Sequence, residues 1–284
     1  MRRASATLLL GGLLLLAFAR PVLGQTIELP RDVPSFNQAY TDGPNAWGDC
    51  RLGTDGCPDR ISDTGCLTTA FASVLAYYGV ELDIAAADSC THRARRGIDP
   101  GIFNDWLRAH AGYGHCSSDP LGNCCLDWSR VPGNLELTFH VNRSDLGINP
   151  VSSVVLDHAL RQGNPVVAGV HWGAFCRAGS SQTEDCHWVV LTGKAGTTYT
   201  IVDPYNPDAT SPYGVRTTLD AGVHGAYIID RFVIVEQGVV SSDASAAPAS
   251  RAEQQAGSSL GVLLVVLALI AGLVFLVATS ANDR

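Results

Sequence analysis

Two long apolar segments mark the ends of the chain, and shorter apolar stretches interrupted by polar residues fill the region between them. The first runs from Leu8 to Ala17 behind two arginines and leads into small residues, a pattern typical of a secretory signal peptide over residues 1–24. The second, residues 260–278, contains no charged residue and approaches the roughly 20 apolar residues that a membrane-crossing helix needs. We therefore expect an exported protein in which residues 260–278 form a transmembrane helix or a C-terminal sorting anchor. A short tail, residues 279–284, follows.

One domain is predicted between the two segments. Residues 25–237 are long enough to bury a core of their own, whereas residues 238–259 are mostly small and polar and indicate a flexible linker. The formal net charge of −8 becomes −11 when the three arginines of the signal peptide are removed, and Lys194 is the only lysine. Since nucleic-acid binding relies on a basic surface, we expect no nucleic acid among the partners of this chain.

A helix that carries a cysteine in its first turn is predicted between Asp63 and Gly79. Its apolar positions recur at the spacing of one helical face, and Gly79 is a typical C-terminal stop. The apolar positions of this face are Leu67, Ala70, Phe71, Val74, Leu75 and Tyr78. Unpaired backbone N–H groups and the positive end of the helix dipole favour a thiolate at the helix start, so Cys66 is a candidate nucleophile.

The number of cysteines points to Cys66 by a second route. The chain has nine cysteines, and export to an oxidising compartment favours disulfides. Without Cys66 an even set of eight remains, which can form up to four disulfides and leave one free thiol. Two pairs, Cys50–Cys57 and Cys176–Cys186, would close short local loops, but the sequence does not select among the many possible pairings.

The same cysteines allow a metal-binding interpretation. His115, Cys116, Cys124 and Cys125 offer four soft ligands of the kind that zinc prefers. Their spacing lacks the two-residue separation of paired cysteine ligands, and the even cysteine number in an exported chain favours disulfides. We therefore expect neither a metal nor another cofactor.

One of the eight histidines stands out by its position. A thiolate nucleophile needs a base, usually histidine, that holds the ion pair and later protonates the leaving amine, and a third polar group orients that base. His187 opens the stretch 187–192, which is apolar on both faces and therefore predicts a central strand of a sheet. A second strand follows over residues 198–203, and residues 193–197 indicate a hairpin turn between the two.

The register of this hairpin connects His187 with an acidic residue. With a three-residue loop over 194–196, Leu191 pairs with Tyr199, and counting outward places His187 opposite Asp203. Opposed side chains share a face, at a distance that suits a hydrogen bond between carboxylate and imidazole. A two-residue turn would change the pairing, and an aspartate before proline can also simply begin a turn. Asn206 is then the alternative orienting group.

Acyl transfer also requires hydrogen-bond donors for the negative charge that develops on the substrate carbonyl oxygen. The backbone N–H of the nucleophile is one such donor. Gln38, at the end of the short extended stretch 33–38, is the candidate for a second, side-chain donor. Neighbouring Asn37 is the alternative.

The order of these candidate residues along the chain resembles that of the bacterial bacteriocin-processing type of papain-like cysteine peptidase, in particular its stand-alone, secreted C39-like members. The likeness spans most of residues 34–207. It rests on Gln38, Gly65-Cys66 at a helix start, the stretch 163–167, His187 at a strand start and Asp203-Pro204. A helix around residues 103–107 also matches these proteins.

The resemblance implies an α+β, papain-like fold in which the nucleophile helix packs on an antiparallel sheet that carries histidine and aspartate. It also implies the roles: Cys66 as nucleophile, His187 as general base and acid, Asp203 as orienting group and Gln38 as oxyanion donor. Two features depart from the family. The transporter domains of leader-cleaving members are absent from this sequence, and the cysteine-rich stretch 90–125 is not part of the family pattern.

The sequence thus predicts a membrane-anchored, extracytoplasmic cysteine peptidase that hydrolyses a peptide or amide bond through a thioester, with a peptide or protein as substrate. A cell-wall peptide hydrolase of the NlpC type is an alternative, because such enzymes also place cysteine at a helix start and histidine on a strand. A transglutaminase-like enzyme would pass the same thioester to an amine. From a different class comes a non-catalytic, disulfide-rich binding module on the same fold.

Overall fold

The computed structural model describes residues 26–54, 56–115, 123–141, 151–172 and 187–238, which all belong to a compact unit ending at Gly238. The predicted signal peptide, the linker after Gly238, the apolar segment 260–278 and the tail 279–284 lie outside the described residues, as do Cys116, Cys176 and Cys186. No helix of the described part is long and apolar enough to span a bilayer.

An antiparallel sheet of seven strands forms the centre of the described residues. The strands of the molecule, in chain order, are β1 (Ile27–Glu28), β2 (Leu82–Ile84), β3 (Arg95–Gly97), β4 (Tyr113–Gly114), β5 (Cys125–Leu126), β6 (Leu135–Val141), β7 (Val166–His171), β8 (His187–Ala195), β9 (Thr198–Asp203), β10 (Val215–Thr218) and β11 (Ile228–Gln237). Six of them follow the order β10-β9-β8-β7-β11-β6 across the sheet, and β1 pairs with the far end of β8. Strands β2–β3 and β4–β5 form two small separate ribbons.

Helices lie on both faces of this sheet. They are α1 (Ile61–Thr64), α2 (Cys66–Tyr77), α3 (Pro100–Ala109) and α4 (Ser153–Arg161). Helix α2 shares one core with Val167 of β7 and Val190 of β8, whereas α4 shares a second core with Val166 and Val189. Because side chains alternate along a strand, neighbouring residues of β7 and β8 face opposite layers. Because helices cover both faces of the sheet, the strand that begins with His187 is apolar on both faces, as its predicted central position requires.

The two predicted helices that flank this core are present. Helix α2 begins at Cys66 and ends before Gly79, whose φ of 71° is the left-handed conformation that glycine adopts readily. Helix α3 covers the predicted stretch 103–107, and the Asp99 carboxylate caps it by accepting a hydrogen bond from the Ile102 backbone N–H at 2.8 Å. Apolar periodicity and a glycine stop are local signals that predict α2 from the sequence, whereas the helix around residues 103–107 was expected from the family resemblance.

The hairpin between β8 and β9 is shorter than predicted. Its turn contains two residues, Gly196 and Thr197, instead of three. Gly196 has a φ of 66°, which suits the first position of a tight hairpin turn. In consequence Leu191 pairs with Ile201 and not with Tyr199, and the predicted register was wrong.

A bulge at Thr192 nevertheless returns His187 to the face of Asp203. The pairing shifts between Leu191 and Gly193, so Thr192 is an extra residue of β8 without a partner on β9. The shorter turn alone would displace the register by an odd number of residues and turn His187 to the opposite face. With the bulge the displacement is two residues, which keeps His187 on the face of Asp203, in agreement with their 2.7 Å contact.

The described disulfides join Cys50 to Cys90 and Cys57 to Cys124, and Cys125 is disulfide-bonded as well. The predicted local pair Cys50–Cys57 was therefore wrong. A backbone bridge between Thr54 and Asn123 brings Cys124 beside Cys57, so the cross-link joins segments that are distant in sequence. Cys66 is the one free cysteine among the described residues, as predicted.

These cross-links involve two of the four residues of the alternative metal-binding interpretation. Cys124 and Cys125 are in disulfides and have no thiolate to offer a metal. Cys57, Asp59 and Cys124 do converge, with potential ligand atoms within 4.8 Å of one another. Two of those atoms are the sulfurs of one disulfide, so this cluster is a cross-link with a nearby carboxylate.

Replacing Cys57 and Cys124 together with alanine should lower the free energy of unfolding by about 4 kcal/mol, since this cross-link restricts a long loop of the unfolded chain. Urea unfolding of the purified protein measures the change. The matched control is Cys66→Ala, which removes a sulfur that bonds no other cysteine. Equal stability of the double variant and this control would contradict the prediction.

Candidate active site

Cys66 lies where two helices meet. Helix α1 ends at Thr64 and α2 begins at Cys66. Gly65 lies between them, and its backbone N–H donates to the Ile61 carbonyl at 2.9 Å. A Cβ atom on Gly65 would lie only 2.5 Å from that carbonyl oxygen, so the sharp junction requires glycine. The junction leaves the half-buried Cys66 thiol at the N-terminal end of α2, where the helix dipole favours negative charge.

His187 and Asp203 form a buried pair at the end of the sheet. His187 Nε2 lies 2.7 Å from Asp203 Oδ1, and the two side chains are 5% and 0% exposed. Because the carboxylate occupies Nε2, Nδ1 is the ring nitrogen that remains for the Cys66 thiol, which is near enough to help raise the pKa of this imidazole. The structure therefore brings together Cys66, His187 and Asp203, which the sequence placed on three separate elements.

The surroundings of His187 favour its charged form. Burial lowers the pKa of this imidazole, but hydrogen bonds with Asp203 and Cys66 and the charges of both groups outweigh burial and raise the pKa from 6.5 to about 9. Since the folded-state pKa is the higher one, the pairing stabilises the protein fully below about pH 6.5. That contribution is lost as the pH rises through about 9.

Asp203 is held ionised by four donors. Oδ1 accepts hydrogen bonds from His187 and from the Tyr205 backbone N–H at 3.0 Å. Oδ2 accepts from the Tyr227 hydroxyl at 2.8 Å and from the Val223 backbone N–H at 3.3 Å. Burial raises the pKa of Asp203, yet His187 and these donors more than compensate and leave the pKa below its ordinary value. The carboxylate is thus fixed in both position and charge.

Gln38 connects the turn that follows Asp203 with helix α1, which precedes Cys66. Its backbone N–H donates to the Pro204 carbonyl at 2.7 Å, and its side-chain Nε2 donates to the Ser62 carbonyl at 3.3 Å. The side chain is 5% exposed, and its Oε1 has no hydrogen-bond partner. An amide carries two N–H groups, so one donor of this buried side chain remains for another acceptor.

The two alternative residues have structural roles instead. Both N–H groups of the Asn37 amide donate to backbone carbonyls, those of Asp208 at 3.0 Å and Ser211 at 2.9 Å, so Asn37 has no donor to offer a substrate. The Asn206 side chain donates to the Tyr213 carbonyl at 2.9 Å and accepts from the Asp208 backbone N–H at 3.0 Å, whereas Asp203 hydrogen-bonds to His187. These contacts exclude Asn37 as the oxyanion donor and Asn206 as the orienting group.

Tyr227 is a site residue that sequence reasoning missed. Its ring is buried against Gly222, where a Cβ atom would lie 2.1 Å from a ring carbon, and its hydroxyl reaches Asp203. Burial and the Asp203 charge raise the pKa of this phenol, so it stays a hydrogen-bond donor. No spacing or motif distinguishes Tyr227 from the other tyrosines, because it approaches Asp203 only through the tertiary fold.

Comparison with known proteins identifies a family that this chain matches. The model of the Peptidase_C39 like family matches residues 30–227. Among solved structures, the chain is similar to a crystal structure from Bacillus anthracis described as a C39-like peptidase, with 14% sequence identity and a TM-score of 0.36. That similarity covers 76% of this chain and 100% of the other. No curated protein matches the chain.

We expect the imidazole of His187 to titrate near pH 9 in the wild-type protein and at lower pH in Cys66→Ala and Asp203→Asn, because each variant removes a hydrogen bond and a negative charge that raise its pKa. Histidine NMR signals measured against pH test this, with His187→Gln identifying the resonance. Titration of His187 near pH 6.5 in all three proteins would contradict the prediction.

Tyr227→Phe should lower the free energy of unfolding by about 1.5–3 kcal/mol, the usual range for a hydrogen bond to a charged group, because it leaves Asp203 Oδ2 with one donor. Urea unfolding at neutral pH measures the loss. Tyr213→Phe is the matched control, since Tyr213 is 67% exposed. If both variants lose the same small amount, the Tyr227 hydroxyl does not hold Asp203.

Proposed function

Since the chain belongs to the C39-like peptidase family, we propose that it is a cysteine peptidase that cleaves a peptide or amide bond through a thioester on Cys66. One observation carries this proposal. A free thiol at a helix start contacts an imidazole whose other nitrogen is held by a buried carboxylate. A thiolate–imidazolium pair of this kind is the activated state of a cysteine nucleophile.

The first half of the reaction transfers the acyl group to sulfur. The Cys66 thiolate attacks the carbonyl carbon of the scissile bond, forming the C–S bond while the carbonyl π electrons move to oxygen. When the carbonyl re-forms, the C–N bond breaks and the His187 imidazolium gives its proton to the leaving amine. Asp203 keeps the ring in the orientation that both proton transfers need.

The second half returns the enzyme to its starting state. Neutral His187 takes a proton from water, whose oxygen attacks the thioester carbon. The C–S bond then breaks, the carboxylic acid is released, and Cys66 and His187 resume the ion pair. In both halves the Cys66 backbone N–H and the free N–H of Gln38 would donate to the substrate oxyanion.

The identity of the group that orients His187 supports a peptidase over the alternatives. An NlpC-type hydrolase usually completes its triad with another histidine or polar residue, whereas Asp203 holds His187 in this chain. A non-catalytic binding module would have no need for a free thiol beside a charged imidazole. Hydrolysis of a peptide substrate is therefore the reaction that the site supports best.

We place this activity outside the cytoplasm. The disulfides Cys50–Cys90 and Cys57–Cys124 support an oxidising compartment, which agrees with a signal peptide over residues 1–24. In this proposal residues 260–278 tether the domain to the membrane through the linker 238–259, with residues 279–284 as the tail. The substrate would then be a peptide or protein at the outer side of that membrane.

Alkylation of Cys66 tests the proposal directly. We expect iodoacetamide at near-neutral pH to modify Cys66 rapidly in the oxidised protein, and His187→Ala to slow the modification about tenfold, because the thiolate loses its counter-ion. Peptide mass spectrometry of timed samples measures the rates. His110→Ala is the matched control, since His110 is exposed and stacks on Trp106 at the end of α3.

The same purified proteins can be tested for cleavage of peptides. A pool of synthetic peptides incubated with wild type should yield cleavage products that Cys66→Ser does not produce. An unreactive Cys66, or equal reactivity in His187→Ala, would exclude the thiolate mechanism. A reactive Cys66 without any cleavage would favour a transferase or a binding module.

A further inference from the structure

Three aromatic rings form a stack beside the candidate active site. His224 lies between Trp172 and Tyr205, with ring centroids at 4.5 and 5.1 Å and planes inclined by 13° and 24°. Trp172 follows β7, Tyr205 follows Asp203-Pro204, and His224 is near the tip of a turn closed by a hydrogen bond between Gly222 and Gly225. The stack is therefore assembled by the tertiary fold and fixes the orientation of His224.

The stack lies beside His187. The His224 ring is 5.5 Å from the His187 ring and perpendicular to it, and Trp172 is 6.3 Å away at a similar angle. In the proposed reaction His187 delivers a proton to the leaving amine. The fragment that leaves must therefore lie next to His187. The aromatic stack lies next to the same residue.

Both faces of the His224 ring are covered, so only its edge is available for new contacts. The ring nitrogens have no hydrogen-bond partner within the described part of the chain, although the His224 backbone N–H donates to the Tyr227 hydroxyl at 3.3 Å. Partial burial and the positive charge of His187 lower the pKa of His224, which keeps its ring neutral at pH 7. A neutral imidazole offers one donor and one acceptor, which matches an uncharged amide.

We infer that the stack of Trp172, His224 and Tyr205 is the binding subsite for the leaving fragment of the substrate, and that His224 hydrogen-bonds to the first backbone amide after the scissile bond. The inference rests on the proposed peptidase function and adds a specificity-determining residue to it. Substrates whose leaving group contains a peptide amide are preferred over substrates that release a simple amine. Because the stack already fixes the ring, little rotational freedom is lost on binding.

Reversal of the acylation step tests this subsite without knowledge of the natural substrate. An N-acylglycine p-nitrophenyl ester acylates Cys66 and releases p-nitrophenol. An added amine then attacks the thioester carbon, the new C–N bond forms and the C–S bond breaks, and His187 passes the proton of the amine to sulfur. The amine occupies the leaving-fragment subsite in this step, so the amount of each amide product reports binding there.

Leucinamide and isoamylamine are matched nucleophiles, because they share the same branched side chain and differ by the carboxamide. We expect the ratio of leucinamide to isoamylamine products to fall about fivefold in His224→Phe, the effect of one hydrogen bond between neutral groups. Comparing product ratios between proteins cancels the different basicities of the two amines. Product formed by Cys66→Ser is subtracted as background.

Two further variants separate binding from folding. His224→Gln keeps a donor and an acceptor, so its ratio should lie nearer the wild-type value than that of His224→Phe. His110→Phe is the matched control, because His110 also stacks on a tryptophan but lies at the end of α3, and its ratio should equal that of wild type. Thermal unfolding of each variant shows that it is folded.

The outcomes separate the two proposals. Acylation of Cys66 with an unchanged ratio in folded His224→Phe overturns the leaving-fragment subsite and leaves the peptidase proposal standing. A reduced ratio that His110→Phe shows equally also overturns it. Absence of any Cys66-dependent acylation overturns the thioester mechanism, and the subsite with it.

Discussion

The buried contact between His187 and Asp203 is the constraint on which the rest of the site depends. An ionised carboxylate without exposure to water costs several kcal/mol unless its oxygens are paired and hydrogen-bonded. Asp203 meets this requirement with His187, two backbone N–H groups and the Tyr227 hydroxyl. These donors come from β8, from the turn after β9 and from the segment before β11, so the carboxylate ties three parts of the chain together at the sheet end.

The charge relations in the site follow from that contact. A fixed negative charge on Asp203 raises the pKa of His187, and the positive charge of His187 in turn lowers the pKa of His224. Two histidines 5.5 Å apart therefore differ in charge at neutral pH, His187 protonated and His224 neutral. In the proposed reaction, His187 serves proton transfer and His224 offers hydrogen bonds to the substrate.

Local features of this site could be predicted from the sequence, and features made by distant contacts could not. The apolar periodicity of α2 and Gly79 after its end predict a helix with a thiol at its start, because both signals are local in the sequence. The shared face of His187 and Asp203 was predicted from the sequence with an incorrect turn length. The prediction of the face still holds because the bulge at Thr192 compensates for the shorter turn. The Cys57–Cys124 disulfide and the Tyr227 hydrogen bond join distant segments, for which periodicity carries no information.

A second histidine–aspartate pair shows why the contact alone does not define an active site. His171 Nδ1 lies 2.7 Å from Asp230 Oδ2, with side chains 12% and 11% exposed, so its geometry is close to that of the His187 pair. No cysteine of the described residues hydrogen-bonds to His171. The His187 pair differs because the Gly65 junction delivers the start of α2, and with it a free thiol, to the same end of the sheet. A buried carboxylate can orient any imidazole, but only at His187 does such a pair meet a helix N-terminus that carries a free thiol, the nucleophile of the proposed reaction.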